Sequence, residues 1–537
     1  MPEVIIVGAG LAGMSAATRL MEQGFHITLY EQNDFLGGKL GAHRVDDKPE
    51  QHEHSYHMYL NWYNNFWQLM REIGALDKFM PSPVIGYRRP GDKQTRPGLT
   101  NAGSPATILT NMFNGVASPA DQFISAYSLL DLIGTQAMST KVLEQTSVNN
   151  FFRTRGYSTD ASIAVSTRTL AEAFASPSYL SSARSYQSLL KYGYRNPTPS
   201  LWLLTQNTND AIFEPWGQHL EARAKELGRR FEIRRRTRVE QLHLSDGEVR
   251  KLTIGTMPIS PTTERGVSVK ATNPRKVKVS GDLLLAVPPR ALGRLVSPEV
   301  AALAPKLETV RLLRLEPMIS LDLYFKRKIP GLNDSITVLL ESNYTLSLLD
   351  FSQVWNDPAA GNTALNVISS NADLIVDYPN EVILDIVLRE LQRFLDFKLG
   401  PTTVKPSLRD DDVDYDRCHI QTNVGEELFV NQVGSWDSRP TATCDIPNLF
   451  LAGDFCQTFV DVVTVEGAVV SGLLAAEALR RRRGIGAPIN IVQPDSYPVI
   501  LPAMLAAALR PAALAAKFVS VADSMMRTQF SRMFPNG

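Results

Sequence analysis

Residues 3–7, Glu-Val-Ile-Ile-Val, form a short apolar run near the start of the chain, the pattern of a parallel strand buried on both faces. A glycine-rich turn interrupts it. The stretch from Met14 to Gln23 then has helical composition, Gly24 stops it, and Phe25 to Tyr30 reads as a second strand. A helix is expected from Trp216 to Glu226, followed by strand-like Phe231–Ile233 and Thr237–Val239. Alternating patterns over Met318–Phe325 and Ser335–Leu340, then an apolar-periodic helix over Glu381–Phe397, predict a mixed sheet with a covering helix. Near the other end, Ile446 to Ala452 reads as a buried strand running into Gly453-Asp454, and Glu466-Gly467-Ala468 opens a small-residue helix over Val469–Leu479.

The turn between the first strand and helix is Gly8-Ala9-Gly10-Leu11-Ala12-Gly13, and the second strand ends on Glu31-Gln32. Strand, glycine turn, helix, strand and acid in this order are what a dinucleotide site requires. Gly8 permits the tight turn, Gly10 lets backbone N–H groups approach a pyrophosphate, and Gly13 lets helix and strand pack closely. Leu11 and Ala12 then open a helix whose N-terminus faces the phosphates. Glu31, with Gln32 beside it, is placed to accept hydrogen bonds from ribose hydroxyls. Phe35-Leu36-Gly37-Gly38-Lys39 follows, and Gly38 with Lys39 forms a second close-approach contact. More than 400 residues later the strand ending Ala452-Gly453-Asp454 and the helix opened by Thr464-Val465-Glu466-Gly467 close the same site, with Asp454 against the ribityl and phosphate region. FAD is the cofactor expected, since no second GxGxxG unit for a nicotinamide nucleotide is present.

The chain has 537 residues, 44% hydrophobic and 20% charged, enough for several units with a large core. Lys+Arg and Asp+Glu both number 55, so no net field favours nucleic acid. Cys418, Cys444 and Cys456 are too few and scattered for a disulfide framework or a spaced zinc site. An intracellular setting is expected. Cys456, close to Gly453-Asp454, invites a covalent flavin link, but a small buried residue is the favoured reading, so the FAD is expected to be non-covalent. His52, His54 and His57 fit neither a helix face nor a strand alternation as a metal set. The basic run Arg234, Arg235, Arg236 and Arg238 is read as a solvated strand edge. No uninterrupted apolar run of the roughly 20 residues needed to span a bilayer is seen, and no cleavable signal precedes the first strand.

With these motifs in order, the chain resembles the FAD-dependent carotenoid desaturases of the phytoene and zeta-carotene type, within the flavin amine oxidase superfamily. Gly8 to Gly13, Gly37-Gly38-Lys39, Arg439-Pro440-Thr441 and Asn448 through Asp454 to Ala468 carry the likeness, and Leu283–Pro288 and Pro317–Arg327 are similar to the family's substrate-domain strands. Glu53-His54-Ser55-Tyr56-His57 is similar to the segment that lines the flavin, with Tyr56 and His57 beside the ring. The resemblance also implies that Val239 lies against the adenine. Asp461 departs from the family, standing in a stretch that is normally apolar near the isoalloxazine, so His57 and Asp461 are the candidate catalytic residues.

The implied architecture is α/β: a Rossmann-type FAD-binding domain assembled from residues 1–85, 210–290 and 440–485, a mixed-sheet substrate domain over 291–439, a helical substrate-entry region over 86–209 and a helical tail over 486–537. The expected reaction is removal of a hydride or electron pair from a lipophilic polyene or isoprenoid-like substrate, with a quinone or oxygen as acceptor. Alternatives are a flavin amine oxidase on a soluble amine, a flavin-dependent polyene isomerase or dehydroxylase, and a flavin-binding protein without turnover. The amine reading calls for a lysine at the flavin that the sequence does not place. Residues 107–134 resemble the family's entry helices, and Ile500–Val521 is an apolar helix with sparse cations. Together they suggest a cytoplasmic protein lying peripherally on a membrane surface, the alternative being packing on the protein's own core or on a second copy of the chain.

Overall fold

The computed structural model describes residues 1–44, 50–100, 104–135, 140–173, 176–195, 200–258, 270–355, 362–405, 409–496, 498 and 500–533. Its organising element is a parallel sheet in the order Phe231–Arg234, His26–Tyr30, Glu3–Val7, Asp282–Leu285, Leu449–Leu451. Val4, Ile6, Leu29, Leu283, Leu284 and Leu451 are all essentially inaccessible, as a sheet covered on both faces requires. The first helix spans Leu11–Glu22, three residues earlier than the composition of Met14–Gln23 indicates. Gly13 is therefore part of its first turn, Gly10 is its N-cap, and Gly8 lies in the turn before it.

Helix Val465–Arg483 crosses this first helix closely: a Cβ on Gly472 would lie 2.1 Å from the Ala12 carbonyl oxygen. Its C-terminal cations return to the sheet, where Arg482 and Arg483 pair with the fully buried Asp282 at 3.3 and 2.6 Å. Cations at a helix C-terminus also meet the negative end of its dipole. An antiparallel meander of Thr237–Ser245, Glu248–Thr256 and Thr272–Lys278 flanks the sheet. The arginine run at its entrance is a neutralised edge: Arg234 pairs with Glu232, Arg235 with Glu214 and Arg238 with Glu240.

The second large sheet has seven strands, ordered His419–Thr422, Ile319–Phe325, Thr363–Ser369, Leu346–Asp350, Thr337–Leu339, Val84–Arg88, Arg96–Leu99. Helix Asn380–Leu391 covers it through Ile383, Val387, Leu388 and Leu391. The last two strands come from before residue 100, outside the 291–439 segment expected to build this layer. Val84–Arg88 pairs in parallel with Thr337–Leu339, and a Cβ on Gly86 would meet the Thr95 methyl at 2.2 Å. That close approach lets the Arg96–Leu99 strand fold back over it.

A helical layer includes Pro119–Gly134, Asp160–Ala173 and Ala183–Arg195, the first packing against the other two. The tail helix, Ile500–Met533, docks on Pro119–Gly134. Its buried face is small and polar: Ala506, Ala513 and Ser520 recur every seven residues and are all buried, and Ser520 donates to Asp121 at 2.7 Å. The Tyr127 hydroxyl donates to the Ala506 carbonyl at 3.0 Å. The opposite face exposes Met504, Leu505, Phe518, Val519 and Met525. The expectation that no segment could span a bilayer is thus corrected for Ile500–Met526, which is long and apolar enough by length and composition. Pro511 sits inside the helix without ending it, so the apolar residues on its two sides form one continuous stretch.

Candidate active site

A cavity of ≈ 700 Å³ opens at the carboxyl ends of the parallel strands and runs toward the helical layer, the place where α/β sheets bind ligands. Its floor is the glycine turn. Gly8 has φ +102°, and a Cβ there would lie 2.2 Å from the Ala286 carbonyl; a Cβ on Gly13 would lie 1.9 Å from the Gly8 carbonyl. Both glycines are required by the protein's own packing. Gly10 differs, since a Cβ there meets nothing nearer than the Gly37 carbonyl at 3.6 Å. Gly10 lines the cavity, so its bareness serves whatever lies above the turn. That is the fit expected of a pyrophosphate held by backbone N–H groups at a helix N-terminus.

Glu31 ends the second strand and accepts hydrogen bonds from the backbone N–H groups of Ala9 at 2.8 Å and Asn33 at 2.9 Å. Burial pushes its carboxyl up to about 7, while these donors pull the other way. Ribose hydroxyls would supply the further donors that its remaining lone pairs lack. Lys39 faces Asp454 across 3.9 Å, joining the second glycine loop to the closing strand. Thr464 caps the closing helix, its Oγ1 accepting from the Gly467 N–H at 3.0 Å. Glu466 accepts from the backbone N–H groups of Asn65 and Phe66 and from the Asn65 amide, tying the closing helix to the N-terminus of Asn64–Glu72.

Of the residues singled out in the sequence, the cavity wall contains Gly8, Gly10, Leu11, Ala12, Glu31, Gln32, Gly38, Lys39, Tyr56, His57, Val239, Gly453, Asp454, Thr464 and Val465. Gly13 lies behind the turn and acts through packing. Asp461 is not beside the cavity, contrary to the expectation for it, and it is not on the surface either. It is 3% exposed, pairs with Arg439 and, at 3.0 Å, with Arg184, and has φ +51°. Arg439 also donates to the carbonyls of Phe455 and Cys456, so Asp461 and Arg439 lock the 455–464 loop that carries Thr464. Cys456 is buried and lies off the wall.

Several wall residues carried no usable signal in the sequence. Arg294, on helix Pro289–Leu295, lines the cavity together with Arg238, Glu240 and Glu426 at the end lined by Val239. Tyr186, Leu189 and Leu190 line the opposite end from helix Ala183–Arg195, whose periodicity could have placed a face but not its partner. Histidines 52, 54 and 57 diverge: His52 bonds Asp322 at 2.7 Å, whereas His54 and His57 meet edge to face and line the cavity.

Fold and site together define a flavoprotein oxidoreductase whose residues fit FAD. The chain belongs to the family described as flavin containing amine oxidoreductase, whose model matches residues 11–480. Among its relatives, a 15-cis-phytoene desaturase of Solanum lycopersicum is 23% identical over 494 residues, covering 89% of this chain and 77% of the relative. A probable zeta-carotene desaturase of Synechococcus elongatus is 24% identical over 522 residues, covering 90% of this chain and 100% of the relative. The solved structure of cyclohexylamine oxidase from Brevibacterium oxydans superposes with a TM-score of 0.57 at 14% identity, covering 90% of this chain and 99% of that one. At that identity the likeness is one of fold.

Proposed function

We propose that this oxidoreductase desaturates an elongated apolar substrate of the polyene or isoprenoid class, drawn from a membrane surface. One observation carries the reading: beyond the cofactor motifs, the cavity is walled by Met58, Leu60, Ile85, Leu99, Leu129, Leu190, Leu201, Met318 and Ile368. Leu129 belongs to the helix on which the apolar tail docks. An amine oxidase would need a lysine near the flavin ring, and among the described residues the one lysine on the wall, Lys39, faces Asp454 at the phosphate loop.

FAD, when bound, supplies the acceptor for a hydride and later passes the electrons to a quinone or oxygen. The protein's own part is to bind and orient. The glycine turn and Glu31 hold the nucleotide, the apolar wall keeps water from the substrate, and Tyr56 and His57 offer polar atoms at the wall. The exposed face of the tail helix suits the interfacial plane of a bilayer, where aliphatic side chains enter the acyl boundary. The test is product analysis with zeta-carotene in liposomes and a soluble quinone. A product lighter by two hydrogens supports desaturation; unchanged mass with altered chromatographic retention indicates isomerisation, and conversion of cyclohexylamine instead indicates amine oxidation.

A further inference from the structure

Beside the main cavity lies a smaller chamber of ≈ 130 Å³. Tyr56, Met58, Ile85 and Tyr87 line both spaces, so the two adjoin along a shared wall. The polar groups of the chamber come from three helices: Asn111 on Pro105–Met112, Gln122 on Pro119–Gly134 and Arg168 on Asp160–Ala173. Asn114, just past the first of these helices, joins them. All of the lining residues are buried or half-buried. Arg168 brings its charged end to the shared wall, its guanidinium carbon lying 5.8 Å from the centroid of the Tyr87 ring, within reach of cation–π attraction. Leu129, two turns beyond Gln122 on the same helix, lines the main cavity, so one helix face serves both spaces.

The protein itself orients the amides of the chamber. Asn111 Oδ1 accepts the Leu99 N–H at 2.9 Å, and its Nδ2 donates to the Leu99 carbonyl at 2.9 Å. Asn114 Oδ1 accepts from the Val116 N–H at 3.0 Å and from Gln122 Nε2 at 3.3 Å. Both asparagine oxygens are thus engaged, while each of the three amide nitrogens keeps at least one hydrogen beyond these bonds. The Arg168 guanidinium has donors and no acceptor. The chamber therefore presents mainly donors and one positive charge. Among the described residues, charge on the wall of the main cavity sits with the cofactor motifs, at Glu31, at Lys39 and Asp454, and around Arg294.

We propose that this chamber anchors one end of the substrate, and that the substrate is an apolar chain ending in a carboxylate, with Arg168 as the residue that selects it. The inference rests on the reading above that the main cavity takes an elongated apolar molecule. An ionised carboxylate only accepts hydrogen bonds, which matches the donor set, and the planar guanidinium fork fits its two oxygens in parallel. From that anchor the chain runs past Tyr56, Met58, Ile85 and Tyr87 into the apolar part of the main cavity. Small-molecule sites commonly fix orientation in this way, with a few placed polar groups on a largely apolar wall. The anchored end sets the register of the chain, and so decides which carbon–carbon bond lies at the flavin.

Binding is read in the FAD-loaded protein by quenching of tryptophan fluorescence. The probes are all-trans-retinoic acid and methyl retinoate, which share one polyene and differ in the charge of its end. The acid should bind about tenfold or more tighter than the ester, the span expected of charge-assisted hydrogen bonds. In Arg168→Leu the acid should fall to the affinity of the ester, with the ester itself unchanged, and Arg168→Lys, which keeps the charge but not the fork, should retain part of the preference. Val165, one turn before Arg168, also lines the chamber. Val165→Phe should remove the preference by filling the space with Arg168 still present, and retained FAD content verifies the fold of each variant. Equal affinity of acid and ester in the wild type, or a preference that persists in Arg168→Leu or Val165→Phe, overturns the chamber as the anchor and leaves the apolar-substrate reading standing. Failure of both probes to bind overturns that reading and the anchor with it.

Discussion

Two glycines of one motif do different work. Gly13 is bare because the Gly8 carbonyl is 1.9 Å from where its Cβ would be, whereas Gly10 is bare although the protein leaves room, with 3.6 Å to the nearest atom. Gly10→Val should therefore purify folded but without flavin, and Gly13→Val should fail to fold or lose stability by about 1–3 kcal/mol, the usual cost of overpacking. Thermal melts together with the flavin-to-protein absorbance ratio separate the two. Full flavin occupancy in Gly10→Val would remove the pyrophosphate from above the turn. Asp461 shows the limit of reading residues one at a time. An acid in an apolar stretch suggested a place at the flavin, but its two arginines, Arg184 and Arg439, come from other segments, and nothing in the local pattern pairs them.

Among the elements, the contact of helix Val465–Arg483 with Leu11–Glu22 holds the two halves of the nucleotide site together. Gly472→Ala puts a methyl 2.1 Å from the Ala12 carbonyl oxygen and should lower stability by about 1–3 kcal/mol, with a matching loss of FAD affinity because Thr464 and Leu11 line the same cavity. Unchanged melting and unchanged FAD affinity would mean that this crossing is looser than described. Four of the five strands of the parallel sheet were legible in sequence because buried parallel strands are short apolar runs bounded by turn residues; the fifth, Asp282–Leu285, read by resemblance as a strand of the substrate layer, instead pairs with Glu3–Val7 and Leu449–Leu451. The pairing of Val84–Arg88 with Thr337–Leu339 was not, since strand partners about 250 residues apart leave no local trace. The cofactor side of the site was readable for the same reason as the sheet, its residues following strand ends at fixed offsets. Glu53, whose Oε2 lies 3.2 Å from His57 Nδ1, is fixed by the Thr208 N–H at 2.7 Å, a donor contributed by another segment.

The whole molecule has one strongly asymmetric surface. The tail helix buries Ala506, Ala513 and Ser520 and exposes Phe518 at 76%, Met504 at 64% and Met525 at 63%, the reverse of an ordinary covering helix. Full-length protein should float with liposomes, and Phe518→Glu with Met504→Glu should leave it at the bottom of the gradient with FAD content unchanged. Failure of the intact protein to float, with a dimer in solution instead, would assign the apolar face to a second copy of the chain. The helix joins the body through Asp121, which receives hydrogen bonds from both Ser520 and Thr159, so the docked face and the free face can be altered separately.

The central claim, that the cavity above the flavin oxidises an apolar rather than an amine substrate, is tested most directly by anaerobic mixing of the FAD-loaded protein with liposomes carrying zeta-carotene, with cyclohexylamine in a parallel experiment. The account predicts bleaching of the flavin band by the polyene, stoichiometric with flavin, and none by the amine. Bleaching by cyclohexylamine with no response to the polyene would contradict it.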